Sequence, residues 1–307
     1  MGALCNEFDL QWAYFIWGVM IMKFYVVDAF TNTIFNGNQA GVLILDQASD
    51  FPDRSIMQKV AGELKHSETV FVKKTASKTY ELRFFTPTEE VELCGHATLS
   101  CFTVLREEKL IEPGVFLANT IAGTLEILVD NTSVWIRMVK CDFVKNLEKA
   151  EYSKIYEAYG LDIADKPEIL NPCIYKAGLA DILLPVSSRE KLNKVVQDKE
   201  KVIGISKKHS VVGVHMFYYN QHNETTAFCR NFAPLFGIYE ESATGTSNAA
   251  LTCYLHEKGL VKTNGINKFI QGETIGKPST ICSRVDGNND IFIGGNAIIS
   301  ISGEFRL

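Results

Sequence analysis

The chain of 307 residues lacks the marks of several large protein classes. It has no basic excess: 31 Lys and Arg stand against 36 Asp and Glu, a formal net charge of −5. Its short basic runs, Lys73-Lys74 and Lys207-Lys208, are not flanked by aromatic stacking residues. Phosphate-backbone binding needs basic charge and base stacking needs aromatic platforms, so nucleic acid is not expected as a partner and these runs read as solvated loops. The eight cysteines, at 5, 94, 101, 141, 173, 229, 253 and 282, include no CxxC pair and no Cys/His cluster at zinc spacing. Reduced, mostly buried thiols in a cytoplasmic protein are the expectation, without a disulfide framework or a metal site. The apolar run 12–22 has no Lys or Arg before it. It is short of the ~20 residues that span a bilayer, and a secretory signal would carry a charged leading region. Residues 1–21 are therefore expected to be an extension without a part in the chemistry, and no membrane contact is expected. Also missing in any suitable context are the GxGxxG, GxxxxGK[ST] and GxSxG motifs.

What remains is 46% hydrophobic and 22% charged, enough to bury one large core or two of ordinary size. Strand patterns occupy residues 24–29, 40–45, 69–73 and 80–85, with helical periodicity over 53–64. Residues 97–105 are small or apolar throughout, which predicts a buried helix rather than an amphipathic surface one. In the second half, strands are expected at 182–185, 211–219, 225–232, 268–271, 279–285, 291–294 and 297–301. A helix is expected at 190–198 and a second buried helix at 249–255.

The chain echoes itself. Arg83-Phe84-Phe85-Thr86-Pro87 is followed by Glu89-Glu90, Gly95 and a small-residue helix. Arg230-Asn231-Phe232-Ala233-Pro234 is followed by Glu240-Glu241, Gly245 and another such helix. The order of these features predicts two homologous halves. The first N–H groups of a helix lack intrahelical acceptors and carry partial positive charge. Two helices entered through glycine and facing one cleft would suit a small carboxylate or enolate-like anion, and ordinary capped helix starts are the alternative.

Three side chains near these entrances could carry chemistry. Glu68 precedes an apolar strand, where partial shielding would raise its pKa and let it shuttle protons near neutrality. On local pattern alone a solvent-facing glutamate is the simpler reading. His96 follows Gly95 and either relays a proton or packs as a cap. Cys94, at the same helix entrance, is either a base with lowered pKa or a buried thiol.

These segments, in this order, resemble the phenazine-biosynthesis-isomerase-like (PhzF-like) family. The resemblance is carried by Asp28-Ala29-Phe30-Thr31, the run 35–42 (FNGNQAGV), Ser67-Glu68-Thr69-Val70-Phe71, Arg83 to Pro87, Cys94-Gly95-His96-Ala97-Thr98, Arg230 to Pro234 and Ala243-Thr244-Gly245-Thr246. It implies the α+β fold of diaminopimelate epimerase, in which two pseudo-symmetric domains each wrap a curved, mostly antiparallel sheet around a central helix. The domains would be 22–140 and 141–307, with the last strand free to cross to the first. It further implies an interdomain active site without cofactor, a homodimer, and an isomerase or epimerase that moves a proton on a small carboxylate-bearing substrate. Glu68, His96 and Glu241 match the family's catalytic positions. Asn38, Gly95, Thr244, Gly245 and Thr246 match its substrate-binding positions.

Two features depart from the family's better-known branches. The phenazine branch has Asp-Pro where Glu241-Ser242 stands, which lengthens the acidic side chain by one carbon. The epimerase cousins use two cysteines, and only Cys94 has a counterpart here. A one-thiol epimerase using Cys94 and a non-catalytic metabolite- or protein-binding member are the rival readings.

Overall fold

A computed structural model of the chain describes residues 13–16, 19–46, 49–221 and 224–306. Residues 1–12 and 17–18 of the expected extension lie outside them. The rest of that extension is strand: β1 (Ala13–Ile16) pairs antiparallel with β2 (Val19–Ala29), which starts before the expected Met22.

The first half continues through β3 (Asn38–Ile44), α1 (Arg54–Leu64), β4 (Glu68–Ala76), β5 (Thr79–Phe85) and the short β6 (Glu90–Val91). Next come α2 (Gly95–Glu107), β7 (Gly114–Thr120), β8 (Gly123–Val129) and β9 (Val134–Arg137). The second half runs β10 (Asp142–Asn146), α3 (Lys149–Glu157), β11 (Cys173–Ala177), β12 (Leu179–Pro185), α4 (Arg189–Lys194), α5 (Lys199–His209), β13 (Gly213–Tyr219), β14 (Ala227–Ala233) and β15 (Ile238–Glu241). It closes with α6 (Gly245–Glu257), β16 (Ile266–Gln271), β17 (Ser279–Val285), β18 (Ile291–Gly295) and β19 (Ala297–Arg306).

The fold is α+β and mostly antiparallel, and its exceptions show the internal repeat. β3–β4 and β5–β7 are parallel in the first half, and β12–β13 and β14–β16 are parallel in the second. Each half therefore uses the same two crossovers at the same places. Two antiparallel pairings stitch the halves together: β9 with β18, and β19 with β2.

The sheets close around α2 and α6. Ten consecutive α2 residues, His96 to Leu105, are buried, as expected of a helix with no polar face. In α6 the run Ser247 to Thr252 is buried likewise. Ala97, Leu99 and Phe102 of α2 share one apolar core with Ala249, Leu251 and Tyr254 of α6. On the outer face of the first half, α1 seats Met57, Val60 and Ala61 against Leu43, Phe71 and Phe85. On the outer face of the second, Tyr152, Ile155 and Tyr156 of α3 cover Ile182, Leu184 and Phe232. Burying each of the larger aliphatic and phenylalanine side chains among these is worth roughly 1.5–3 kcal/mol.

The helix expected over 190–198 forms only as far as Lys194, and a separate helix without a counterpart in the sequence reading, α5, follows from Lys199. α4 stops at Lys194, and Asp198 begins α5 by accepting the Lys201 N–H at 3.2 Å. The β-branched pair Val195-Val196 lies between them, where helix propensity is weak and an N-cap acid competes for the backbone. All seven described cysteines are free. Cys94, Cys101, Cys173 and Cys229 are buried, whereas Cys141, Cys253 and Cys282 are partly exposed. Among the described residues no helix is long and apolar enough to cross a membrane.

Candidate active site

The repeated Arg-to-Glu motif is an ion pair in each half. Arg83 Nε donates to Glu90 Oε1 at 2.8 Å, and Glu90 also accepts from Arg54 at 2.6 Å. Arg230 grips Glu240 through two bonds of 2.9 and 2.7 Å and donates from Nη1 to the carbonyls of Leu192 and Val195. Each pair fixes the short strand leading into a central helix. The second copy is longer because the chain makes a 3-10 turn at Pro234–Phe236. With Glu90 and Glu240 committed in this way, Glu241 is the acidic residue left to face the helix entrances.

At those entrances the fold gathers residues far apart in sequence. Glu68 is the first residue of β4, paired in register with Ala40 of β3. Cys94 is the N-cap of α2, and His96 lies in its first turn. His96 Nε2 is 3.2 Å from Glu68 Oε2, and Cys94 Sγ is 3.3 Å from His96 Nδ1. Asn38, at the start of β3 and 4% exposed, joins this group to the second half. Its Nδ2 donates to Glu241 Oε1 at 2.9 Å and to the Ala243 carbonyl at 3.0 Å, and lies 3.4 Å from His96 Nδ1. Glu68, His96, Asn38 and Glu241 thus form one continuous polar chain.

Burial sets the charge state of the group. It raises the pKa of Glu68, opposed by a hydrogen bond from Cys94. It raises that of Glu241 too, with His96 pulling down, Glu68 pushing up and Asn38 pulling down. It pushes the Cys94 thiol well above its ordinary value, and the nearby Glu68 carboxylate adds to the effect. It lowers His96, against the pull of Glu241. The result is a neutral imidazole between two carboxyl groups poised to hold or release protons nearer neutrality than free carboxylates. A thiol held protonated in this way is a poor thiolate base.

Neither central helix has a hydrogen-bonding side-chain N-cap. A Cβ added at Gly95 would have nothing within 4 Å, so the entrance to α2 is open. Gly245 and Thr246 open α6 beside Phe30 and Ile293, and Thr244 is its N-cap. Thr244 is already engaged: its N–H meets Gln271 Oε1 at 3.3 Å and its hydroxyl accepts from Gln271 Nε2 at 3.1 Å.

Gln271 carried no sequence signal, because a glutamine ending a strand pattern looks ordinary. It is fully buried and also donates to the Glu241 carbonyl at 2.8 Å, which holds the loop between β15 and α6 in place. A second unforeseen set lies beneath α6. Ser247 donates to Asp181 Oδ2 at 2.6 Å and accepts from Asn231 at 3.1 Å, and Asn231 lies 3.3 Å from His215. Residue spacing also gave no metal constellation, yet the fold brings ligand atoms of Glu68, Cys94 and His96 within 4.8 Å of one another. Two surface concavities of about 560 and 320 Å³, lined by residues such as Arg54 and Lys154, are not at this group.

Comparison with known proteins agrees with the fold. The family model described as phenazine biosynthesis-like protein matches residues 27–303. An uncharacterized isomerase of Clostridium acetobutylicum is 32% identical over 305 residues, covering 94% of this chain and 100% of its own. An uncharacterized isomerase of Bacillus subtilis is 28% identical, covering 89% and 94%. Among solved structures, a PhzF-family protein of Bacillus anthracis superposes with a TM-score of 0.81 at 23% identity, over 93% of this chain and 99% of that one. A hydroxyproline epimerase of Agrobacterium vitis superposes at 0.60 with 13% identity, over 94% and 91%, which shows a shared fold.

Proposed function

Since the chain belongs to the phenazine biosynthesis-like family, we propose that it is a cofactor-independent isomerase that moves a proton on a small carboxylate-bearing substrate. The observation that carries this reading is the contact of Glu68 with His96, 3.2 Å apart at the open entrance of α2. Glu68 as carboxylate takes a proton from carbon, and the electron pair left behind spreads into the substrate's adjacent unsaturated group. The protonated Glu68 then returns the proton at another carbon, so nothing is gained or lost overall. A raised pKa keeps both forms of Glu68 available near the working pH, the condition under which a general acid–base group is most effective. His96 and Glu241, linked through Asn38, steer or relay protons. N–H groups at the starts of α2 and α6 receive the substrate carboxylate, because Arg83 and Arg230 are spent on Glu90 and Glu240.

The same reading takes 22–140 and 141–307 as the two domains, puts the site in the cleft between them, and makes the protein a cytoplasmic homodimer. The test is proton exchange in D₂O, followed by NMR, with a panel of amino acids and cyclic amino-carboxylates. Deuterium entering one compound with wild type and not with Glu68→Gln supports the proposal. Exchange at an equal rate with both proteins overturns it.

A further inference from the structure

We propose that Cys141 and Cys253 are the partners of a reversible oxidation site, at which a low-molecular-weight disulfide is reduced and an intrachain disulfide is formed. The site goes beyond the isomerase reading and does not depend on it. Tyr175 of β11 sets its geometry. The Tyr175 ring packs at 5.4 Å on Phe143 of β10 and at 5.6 Å on Tyr254 of α6, and its hydroxyl donates to Glu257 Oε2 at 2.5 Å. Side chains two apart along an extended strand share a face, so Cys141, one residue ahead of β10, lies on the Phe143 side. Side chains four apart share a helix face, so Cys253 lies on the Glu257 side of α6. The two thiols meet there, and Cys141 donates a hydrogen bond to Cys253. Both border the main apolar core and both are partly exposed, so a small reagent reaches them. Cys94, Cys101, Cys173 and Cys229 are buried, and Cys282, partly exposed as well, faces Lys268 and Arg284.

The direction of that hydrogen bond assigns the roles. It stabilises negative charge on the Cys253 sulfur, against burial and the acids Glu257 and Asp142, while Cys141 keeps its proton. The thiolate, not the thiol, attacks a disulfide. Cys253 therefore attacks one sulfur of R–S–S–R, forms a mixed disulfide and expels RS⁻. Cys141 then gives up its proton and attacks the Cys253 sulfur, expelling the second RS⁻. One external disulfide is reduced to two RSH as two cysteine thiols are oxidised to one disulfide, so protons and electrons balance. Residue 141 precedes the first ladder pair of β10, Asp142 with Lys176, so it can follow its sulfur without breaking the strand. The bond closes a long loop, from the crossover between the halves to the central helix α6. Such closure restricts the unfolded chain and raises thermal stability.

The test treats the reduced, folded full chain with hydroxyethyl disulfide, blocks the remaining thiols with iodoacetamide, and maps the digest by mass spectrometry. A peptide pair linked through Cys141 and Cys253 is expected in wild type, reopened by dithiothreitol, with a Tm raised by about 5–10 °C in the linked chain. Without its second thiol, Cys141→Ser should stop at a mixed disulfide on Cys253. Without its first, Cys253→Ser should leave Cys141 free for the blocking reagent. Both thiols recovered blocked from treated wild type, a link through any other cysteine, or a mixed disulfide that accumulates on Cys141 overturns the site. A linked chain that melts no higher than the reduced one overturns it as well, because the bond would then form only by distorting the fold.

Discussion

Gly213 holds in the second half the register position that Glu68 holds in the first. Glu68 pairs with Ala40 in the parallel β3–β4 ladder, three residues before the Phe71–Arg83 pair of β4–β5. Gly213 pairs with Asp181 in β12–β13, three residues before Met216–Arg230 of β13–β14. A side chain at 213 has nowhere to go, because its Cβ would lie 2.1 Å from the Phe232 carbonyl oxygen. The repeat is therefore symmetric in backbone and asymmetric in chemistry, with one half offering a carboxyl group at the entrance and the other closing the equivalent place. Gly213→Ala, which adds only that Cβ, should cost about 3 kcal/mol, the upper end of overpacking losses, in urea unfolding.

The buried polar set under α6 belongs to the same asymmetry. Asp181, His215, Asn231 and Ser247 stand in register where the first half has Ala40, Val70, Phe84 and Ala97. Burial lowers the pKa of His215 to about 3, so the folded protein holds this ring neutral where the unfolded chain would protonate it. Its contribution to stability is therefore present above the ordinary histidine range and is lost as pH falls from about 6.5 towards 3. His215→Gln should lose less stability than wild type over that span, as measured by denaturation at a series of pH values.

Glu68 has the opposite sign. Its folded pKa is raised, so the proton it keeps when folded favours the native state at low pH, and that contribution disappears as pH rises through the raised value. Thermal melts of Glu68→Gln against wild type should show a difference that moves in the variant's favour as pH climbs from about 4.3 to neutrality. A solvent-facing glutamate would give a flat difference.

The two ion pairs of the repeat should differ in weight. The Arg230 and Glu240 side chains are 9% and 2% exposed, and those of Arg83 and Glu90 are 24% and 7%. Arg230→Met strands a buried carboxylate and should cost about 3–5 kcal/mol. Arg83→Met leaves Glu90 with Arg54 and exposes more of the site to water, so about 1 kcal/mol is expected. Paired denaturant titrations decide between this order and equality.

The sequence made the repeat visible because its ion pairs and glycines recur in order, and it exposed α2 and α6 because a helix with no polar face has only an interior to occupy. Glu68 and His96 stand out as candidates by their places before a strand and at a helix entrance, but only resemblance favours them over a surface glutamate and a capping histidine, and Glu241 is reached through resemblance alone. Gln271 and the Asp181–His215 set were invisible, because their meaning lies in strand register across the sheet. The break at Val195 was missed because Asp198 fits a helix interior as readily as an N-cap until its bond to Lys201 is seen. The gathering of Glu68, Cys94 and His96 likewise exists only once β4 lies beside the start of α2.

The central claim is that Glu68, and not Cys94, carries the proton. The measurement that tests it is substrate C–H exchange in D₂O with Glu68→Gln and Cys94→Ser side by side, both shown to be folded by circular dichroism. The account predicts a loss of about 10²–10⁴ in the exchange rate for Glu68→Gln and less than about tenfold for Cys94→Ser. Exchange that survives in Glu68→Gln and vanishes in Cys94→Ser would contradict it and make the thiol the base.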